Sequence, residues 1–291
     1  MAVVSPAKRG TFRDYFSLTK PRIVPLHLIT SASAMFVAMR ALPSVSTLIY
    51  VLVGGALVVG AANALNCYVD RDVDRMMART CHRPLPEGRL EPYQALTFGF
   101  SIGVIGLYVI SLANSLAAML AGAGLVYYVL IYTLWLKRNT TKSIVVGGVA
   151  GTIPPLVGWA AVTGRIEPAA LILSAIIFLW TMPHFFALAL WRQNDYRLAR
   201  LPVLPATVKQ TRRQILIYSL CLVCATMVII PVADTGTIYL VMSLLLDIGL
   251  IYLVVRLLSK SDPAARQLFF YSIPYLALVF IAMVIDRMVF S

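Results

Sequence analysis

The chain has 291 residues, of which 60% are hydrophobic and 13% charged, and it carries a formal net charge of +13. Soluble domains are about half apolar and a quarter charged, so the composition excludes an ordinary soluble protein and puts most of the chain in a bilayer. The basic excess then belongs to membrane topology and anionic headgroups rather than to nucleic acid, which a chain without a sizeable soluble domain fits poorly.

Apolar spans of the roughly 20 residues needed to cross a membrane occur nine times, at about 23–39, 45–67, 95–113, 115–136, 143–163, 168–191, 214–232, 236–255 and 268–285. The predicted fold is all-α: a short cytoplasmic segment, 1–22, and one polytopic bundle of nine transmembrane helices, 23–291, forming a single membrane domain. The first apolar run follows basic residues but is too long for a signal peptide and lacks a small-residue cleavage site. The expected location is therefore a prokaryotic inner membrane. The third and fourth spans are separated only by Ala113-Asn114-Ser115, and the fifth contains Pro154-Pro155, which predicts a kink.

With the N-terminus inside, 22 of the 25 Lys and Arg fall on the cytoplasmic side, and only Arg40, Arg165 and Arg287 fall outside. Eight or ten spans would scatter the basic residues over both sides, against the positive-inside rule. Two long loops become cytoplasmic, at about 68–94 and 192–213, after the second and sixth spans.

The first loop begins with Asn66-Cys-Tyr-Val-Asp70-Arg-Asp-Val-Asp74. On a helix, residues four apart share a face with Cβ atoms about 5–6 Å apart, so Asn66, Asp70 and Asp74 form one stripe. Like charges at that spacing repel, and a divalent cation resolves the conflict. Mg²⁺ takes one or two carboxylates and completes its shell with water and substrate phosphates. Asn66, Asp70 and Asp74 are therefore candidate metal ligands and catalytic residues at a Mg²⁺-diphosphate site on the cytoplasmic rim. Arg71 and Arg75 lie beside the stripe and suit bidentate phosphate contacts, although both also fit plain positive-inside anchors. Asp72 faces away and reads as a structural ion-pair member. The second loop carries Asp195 at the end of the sixth span, 125 residues after Asp70. Both acidic ends follow outside-to-inside helices, which predicts an internal pseudo-repeat whose acidic ends face each other.

The remaining polar residues are weaker signals. Cys221 and Cys224 form a C-x-x-C inside an apolar span with no nearby His, which reads as two small helix residues rather than a zinc or redox motif. Ala78 stands where a c-type haem motif ending in Cys81-His82 needs its first cysteine. His184, His27 and Asp247 are ionisable groups within apolar spans, and such residues are functional candidates by default.

These motifs resemble the intramembrane prenyltransferase (UbiA) superfamily and, within it, the protohaem IX farnesyltransferase (haem O synthase) family. The resemblance runs over nearly the whole length. It is carried by Leu18-Thr19-Lys20-Pro21-Arg22, by Asp70 to Thr80 with Arg83-Pro84, by Tyr132 to Thr140, by Gly147 to Trp159, and by Trp180-Thr-Met-Pro183-His184-Phe185. Asp195-Tyr196 with Leu201-Pro202-Val-Leu-Pro205 completes it. Met182 replaces a usual proline, Ala199 to Pro202 departs from a usual Ala-Gly-Val-Pro, and Asn194 stands where an acid is common. The second acidic motif is thus reduced to Asp195.

The resemblance implies a nine-helix bundle that ionises farnesyl diphosphate on Mg²⁺ and adds the farnesyl cation to a vinyl group of haem B, with water addition, giving haem O for terminal oxidases. It implies Asn66, Asp70, Asp74 and Asp195 as the catalytic, metal-binding set. Arg71, Arg75, Lys137, Arg138, Lys20 and Arg22 become diphosphate donors, and His184 a haem ligand. The implied partners are farnesyl diphosphate, haem B, the lipid bilayer, and haem A synthase or terminal oxidase assembly proteins. A quinone or chlorin precursor as acceptor, a cation-coupled transporter, or a structural assembly factor would use the same acidic stripe differently.

Overall fold

A computed structural model describes residues 10–140, 142–198, 207–259 and 262–290. Lys8, Arg9, Arg200, Lys260 and the 199–205 stretch of the resemblance lie outside the described residues. A short helix α1 (Phe12–Leu18) precedes α2 (Val24–Met39), α3 (Val45–Val69), α4 (Arg71–Asp74) and α5 (Pro92–Ser111). The next span, Ser115–Asn139, is compound. It joins α6 (Ser115–Val126), a π-helical stretch Tyr127–Leu136, and α7 (Lys137–Asn139). The span Ser143–Thr163 is likewise α8 (Ser143–Gly147), a 3₁₀ turn Gly148–Thr152 and α9 (Ile153–Thr163). The chain continues through α10 (Pro168–Trp191), α11 (Gln193–Leu198), α12 (Val208–Ala233), α13 (Thr237–Leu258) and α14 (Asp262–Phe290).

Among the described residues, 8 helices are long and apolar enough to cross a membrane. The first apolar helix, α2, has 16 residues; at 1.5 Å per residue that is about 24 Å, short of the roughly 30 Å hydrocarbon core. The chain is an integral membrane protein, and its exposed Phe100, Tyr108, Ile248 and Tyr252 are the lipid-facing surface such a bundle requires.

Local chemistry explains the breaks. Asn114 caps α6, accepting from the amides of Leu116 and Ala117 at 2.8 and 3.3 Å. Pro154 and Pro155 sit in the first turn of α9, where no intrahelical N–H is needed, so the expected kink takes the form of a 3₁₀ turn and a restarted helix. Helices outrun their apolar spans: α12 begins at Val208 although its apolar span starts near 214, capped by Thr207 accepting from the Gln210 amide at 3.1 Å. The apolar pattern marks where hydrocarbon begins, and the helix extends past it through Lys209, Arg212 and Arg213.

The largest core cluster surrounds α10, the most enclosed of the long helices, and includes Leu173, Ile177, Phe186, Leu250, Tyr275 and Phe280. A second cluster joins α2, α3, α5, α6 and α9. A third, with Leu18, Cys67, Leu85 and Leu90, clamps α1 and the first loop onto α3. Close helix approach depends on glycine at Gly158, where a Cβ would lie 2.1 Å from the Ser31 carbonyl oxygen on α2.

Candidate active site

The acidic stripe is continuous backbone winding. The Asp70 amide donates to the Asn66 carbonyl at 2.9 Å and the Asp74 amide to the Asp70 carbonyl at 2.8 Å, so α4 prolongs α3 and carries the three side chains on one face. All are buried, with Asp70 1% and Asp74 2% exposed. A buried carboxylate requires a compensating partner, and each has a cation. Lys137 Nζ donates to Asp70 Oδ2, and Arg83 Nη1 donates to Asp74 Oδ2 at 2.6 Å. Asn66 donates from Nδ2 to Asp70 Oδ2 at 2.8 Å and to Thr133 Oγ1 at 3.3 Å, while its Oδ1 accepts from Lys20 Nζ at 2.8 Å. Asp70 Oδ1 is buried without a hydrogen-bond partner among the described residues. Arg138 Nη2 stands 4.0 Å from that oxygen.

Lys20 arrives through an unusual turn. Its φ is +51°, a left-handed conformation that costs a non-glycine residue about 1–2 kcal/mol. Asn63 holds the turn by donating to the Thr19 carbonyl at 3.1 Å. Burial lowers the Lys20 pKa from its ordinary value, and the charges of Arg83 and Lys137 act in the same direction while Asp70 opposes them.

The other predicted diphosphate donors divide into two groups. Arg138 is committed to Asp72, making two bonds of 2.7 and 2.9 Å, and donates to the Val69 carbonyl at 2.8 Å. Asp72, more than half exposed, is the ion-pair member expected, and the Arg138 hydrogen bond holds its carboxyl below the usual range. Arg71 lies over the Tyr68 ring at 4.8 Å and donates to its carbonyl at 2.7 Å. Arg22 and Arg75 are exposed and make no ion pair with an acid among the described residues.

Asp195 sits on α11, its Oδ2 buried and without a hydrogen-bond partner among the described residues. The neighbouring Tyr196 packs on the core cluster that contains Val73 and Met77. Burial raises its pKa; Arg79 and Lys137 oppose the shift, while Tyr132 and Asp195 add to it. The end of α11 therefore lies within electrostatic reach of Arg79 on the first loop and of Lys137. Among the described residues, no three of His, Cys, Asp and Glu converge to hold a metal alone. The acids fit Mg²⁺ on its own terms, which are one or two carboxylates with phosphate completing the shell: among the described residues Asp70 Oδ1 and Asp195 Oδ2 are buried without a hydrogen-bond partner.

His184 lies deeper, on α10, one residue after Pro183. Its ring stacks between Trp180 and Phe269, with centroids at 4.5 and 4.6 Å. Its Nδ1 lies 2.7 Å from Ser272 Oγ. Ser272 gives its hydroxyl proton to the Phe269 carbonyl at 2.7 Å, so Nδ1 is the donor to Ser272 and Nε2 keeps its lone pair. His27 instead lies 3.1 Å from its own helix carbonyl at Ile23.

Sequence spacing missed four neighbours of the stripe. Arg83 meets Asp74 across a turn. Tyr128 and Tyr132, with ring centroids 5.4 Å apart, lie within electrostatic reach of Asp70. Thr133 touches Asn66 although 67 residues separate them. The Tyr132 ring fits only because residue 147 is glycine, where a Cβ would lie 2.3 Å from a ring carbon.

The pattern of the "UbiA prenyltransferase family" matches residues 27–284. "Protoheme IX farnesyltransferase" from Symbiobacterium thermophilum is 48% identical over 279 residues, covering 94% of each chain. The protein of the same description from Gloeobacter violaceus is 48% identical over 286 residues, covering 97% of this chain and 94% of that one. Among solved structures, an apo UbiA homolog from Aeropyrum pernix K1 matches with a TM-score of 0.78 at 17% identity, over 91% of this chain and 98% of that one. A UbiA homolog from Archaeoglobus fulgidus bound to GPP and Mg²⁺ matches with a TM-score of 0.62 at 13% identity, over 93% and 99%. At these identities the structural likeness is one of fold.

Proposed function

The chain belongs to the UbiA prenyltransferase family, and from that premise we propose Mg²⁺-dependent farnesyl transfer to haem B at the buried acidic face of α3 and α4. The chain is a prenyltransferase, and its reaction is the transfer of farnesyl from farnesyl diphosphate to haem B, giving haem O. The observation that carries the site is Asp70, almost wholly buried, with Oδ1 unpaired in a setting otherwise rich in Lys and Arg.

Asn66, Asp70 and Asp74 would hold the metal, with Asp195 on α11 as a fourth candidate ligand. When bound, Mg²⁺ supplies Lewis-acid neutralisation of the leaving diphosphate. Lys20, Lys137, Arg71, Arg75, Arg22 and Arg138 supply donors to its oxygens; their preset positions stabilise charge as it develops on the leaving group. Lys20 and Lys137 exchange their present carboxamide and carboxylate partners for phosphate. The allylic C–O bond breaks, the electron pair leaves with diphosphate, and a haem vinyl carbon bonds to the freed allylic carbon. Water then adds to the resulting centre and loses a proton. Tyr128 and Tyr132 present π faces to the cation, and the farnesyl chain lies between helices away from bulk water. His184, with Nδ1 anchored on Ser272, offers Nε2 to the haem iron. The site faces the cytoplasm of a prokaryotic inner membrane, which the charge asymmetry of the loops supports.

The test is purified protein in nanodiscs with farnesyl diphosphate, haem B and Mg²⁺, read by mass spectrometry. Farnesylated haem that disappears with EDTA is the expected result. Absence of that product, with prenylation of a quinone or chlorin precursor instead, would overturn the acceptor.

A further inference from the structure

We propose that Thr133 is a positioning residue for the metal-diphosphate site, fixing the Asn66 carboxamide so that its oxygen, and not its NH₂, faces the cation. The inference rests on Asn66 being a metal ligand, as assigned above.

A carboxamide has one end that accepts and one that donates, and only the accepting end is of use to a cation. Thr133 is fully buried. Its hydroxyl has a single proton, which it donates to the Tyr128 carbonyl at 2.8 Å. Towards Asn66 it can then only accept, and Nδ2 lies 3.3 Å away. Asp70 Oδ2, at 2.8 Å, is a second acceptor for the same NH₂. Rotating the amide by half a turn would aim Oδ1 at a carboxylate and at a hydroxyl lone pair, two repulsive contacts in a buried setting. The orientation left is the one observed, with Oδ1 outward and accepting from Lys20. Asp70 cannot hold the amide alone, because its Oδ2 is shared with Lys137 and is itself a metal candidate. Thr133, whose only proton is already given to the Tyr128 carbonyl, is the acceptor that no cation shares.

The π-helical stretch makes this possible. Thr133 and Tyr128 are five apart, the hydrogen-bond spacing of π winding. The same winding brings Lys137 to Asp70. Tyr128 and Lys137 are nine apart, which is about two and a half turns of an α-helix and would put them on opposite faces. The wider i→i+5 winding closes the same nine residues in about two turns. Tyr128, Thr133 and Lys137 thus all turn towards α3. π stretches of this kind concentrate at functional sites.

The experiment is Mn²⁺ binding followed by electron paramagnetic resonance, with inorganic diphosphate present, on purified protein in nanodiscs. Loss of an outer-shell partner typically costs about 10–100-fold in metal affinity. Thr133→Val, which keeps the shape and removes the acceptor, is expected to weaken Mn²⁺ binding about tenfold, and Thr133→Ser to restore it. Thr133→Ala removes the acceptor by a second route and must weaken binding as well, so a folding defect confined to the valine variant decides nothing by itself. Asn66→Ala should weaken binding at least as much, with Thr133→Val adding nothing in that background. Normal Mn²⁺ affinity in Thr133→Val and Thr133→Ala, beside weakened binding in Asn66→Ala, overturns the positioning role alone. Normal affinity in Asn66→Ala overturns the metal assignment beneath it.

Discussion

Two buried aspartates in this bundle are handled in opposite ways. Asp247, on α13, is 3% exposed, and both of its oxygens are taken. Tyr275 donates to one at 2.6 Å, the Thr226 hydroxyl lies 2.8 Å from the other and equally near the Val223 carbonyl, and Tyr239 closes the cluster by donating to the Thr226 carbonyl at 3.0 Å. The result staples α12, α13 and α14 together with nothing left over. Asp70 is buried even more deeply, yet among the described residues one oxygen has no hydrogen-bond partner, while the other accepts from both Lys137 and Asn66. A polar network with every member satisfied rigidifies a core, whereas an unsatisfied one calls for a further ligand. The contrast is between a carboxylate closed within its own network and one left open to a further ligand.

The sharpest way to break the contrast is to remove one negative charge from each. Asp70→Asn should lower kcat by about 10³-fold, the scale of losing a group that stabilises developing charge, with the thermal transition in detergent little changed. Turnover within a few-fold of the parent would end Asp70's claim to chemistry. Lys137→Met comes next. Truncating one partner of a buried charge pair costs about 2–5 kcal/mol, so kcat/KM for farnesyl diphosphate should fall roughly 30-fold or more, with Lys137→Arg recovering part of it. Equal loss in both variants would mean that Lys137 acts by shape rather than charge.

How much of this was legible beforehand follows from which periodicities sequence carries. The i,i+4 spacing of Asn66, Asp70 and Asp74 survives translation into structure because the i→i−4 hydrogen bonds run on from α3 into α4 across Asp70. The spans are legible because hydrocarbon imposes composition directly. The π stretch was invisible: Tyr127 to Leu136 is almost wholly apolar, so α and π winding give the same hydropathy. Thr133 and the two tyrosines were lost with it. Arg83 was quoted only as part of a motif, because its pairing with Asp74 runs through a turn that no helical period describes. Asp247 was legible as an anomaly but not as a solved one, since its donors come from two other helices.

Asp247→Asn should be the mirror of Asp70→Asn. An amide accepts at one end only, so Thr226 or Tyr275 loses its acceptor. Interhelical hydrogen bonds in membranes are worth about 0.6 kcal/mol on average and up to about 1.7, and the unfolding free energy should drop by that order while kcat/KM stays within about two-fold. Lost turnover with unchanged stability would turn Asp247 into a functional group and dissolve the contrast.

The smallest effect concerns a third buried aspartate that shares something with each of the other two. Asp14, on α1, has a cation, Arg89, as Asp70 has Lys137, and it is also satisfied by its neighbours, as Asp247 is. The Thr11 hydroxyl and amide donate to it at 2.7 and 3.0 Å. Burial alone would raise its pKa, but the Thr11 hydrogen bonds and the Arg89 charge overcome it, and the net shift is downward from 3.8. A carboxyl whose pKa is lowered by folding contributes stability that is fully present above the unfolded value and is lost as pH falls through the folded one. The contribution should be constant from pH 7 to about 5 and fade below about 4. What it holds is α1, and through α1 the strained turn that aims Lys20 at Asn66. Asp14→Asn should therefore speed amide hydrogen exchange across 12–18 several-fold at pH 6, with only a minor loss of turnover, and the two proteins should converge towards pH 3. A difference that persists undiminished at pH 3 would mean that α1 is held by Leu18 and its apolar contacts, and that Asp14 belongs with neither class.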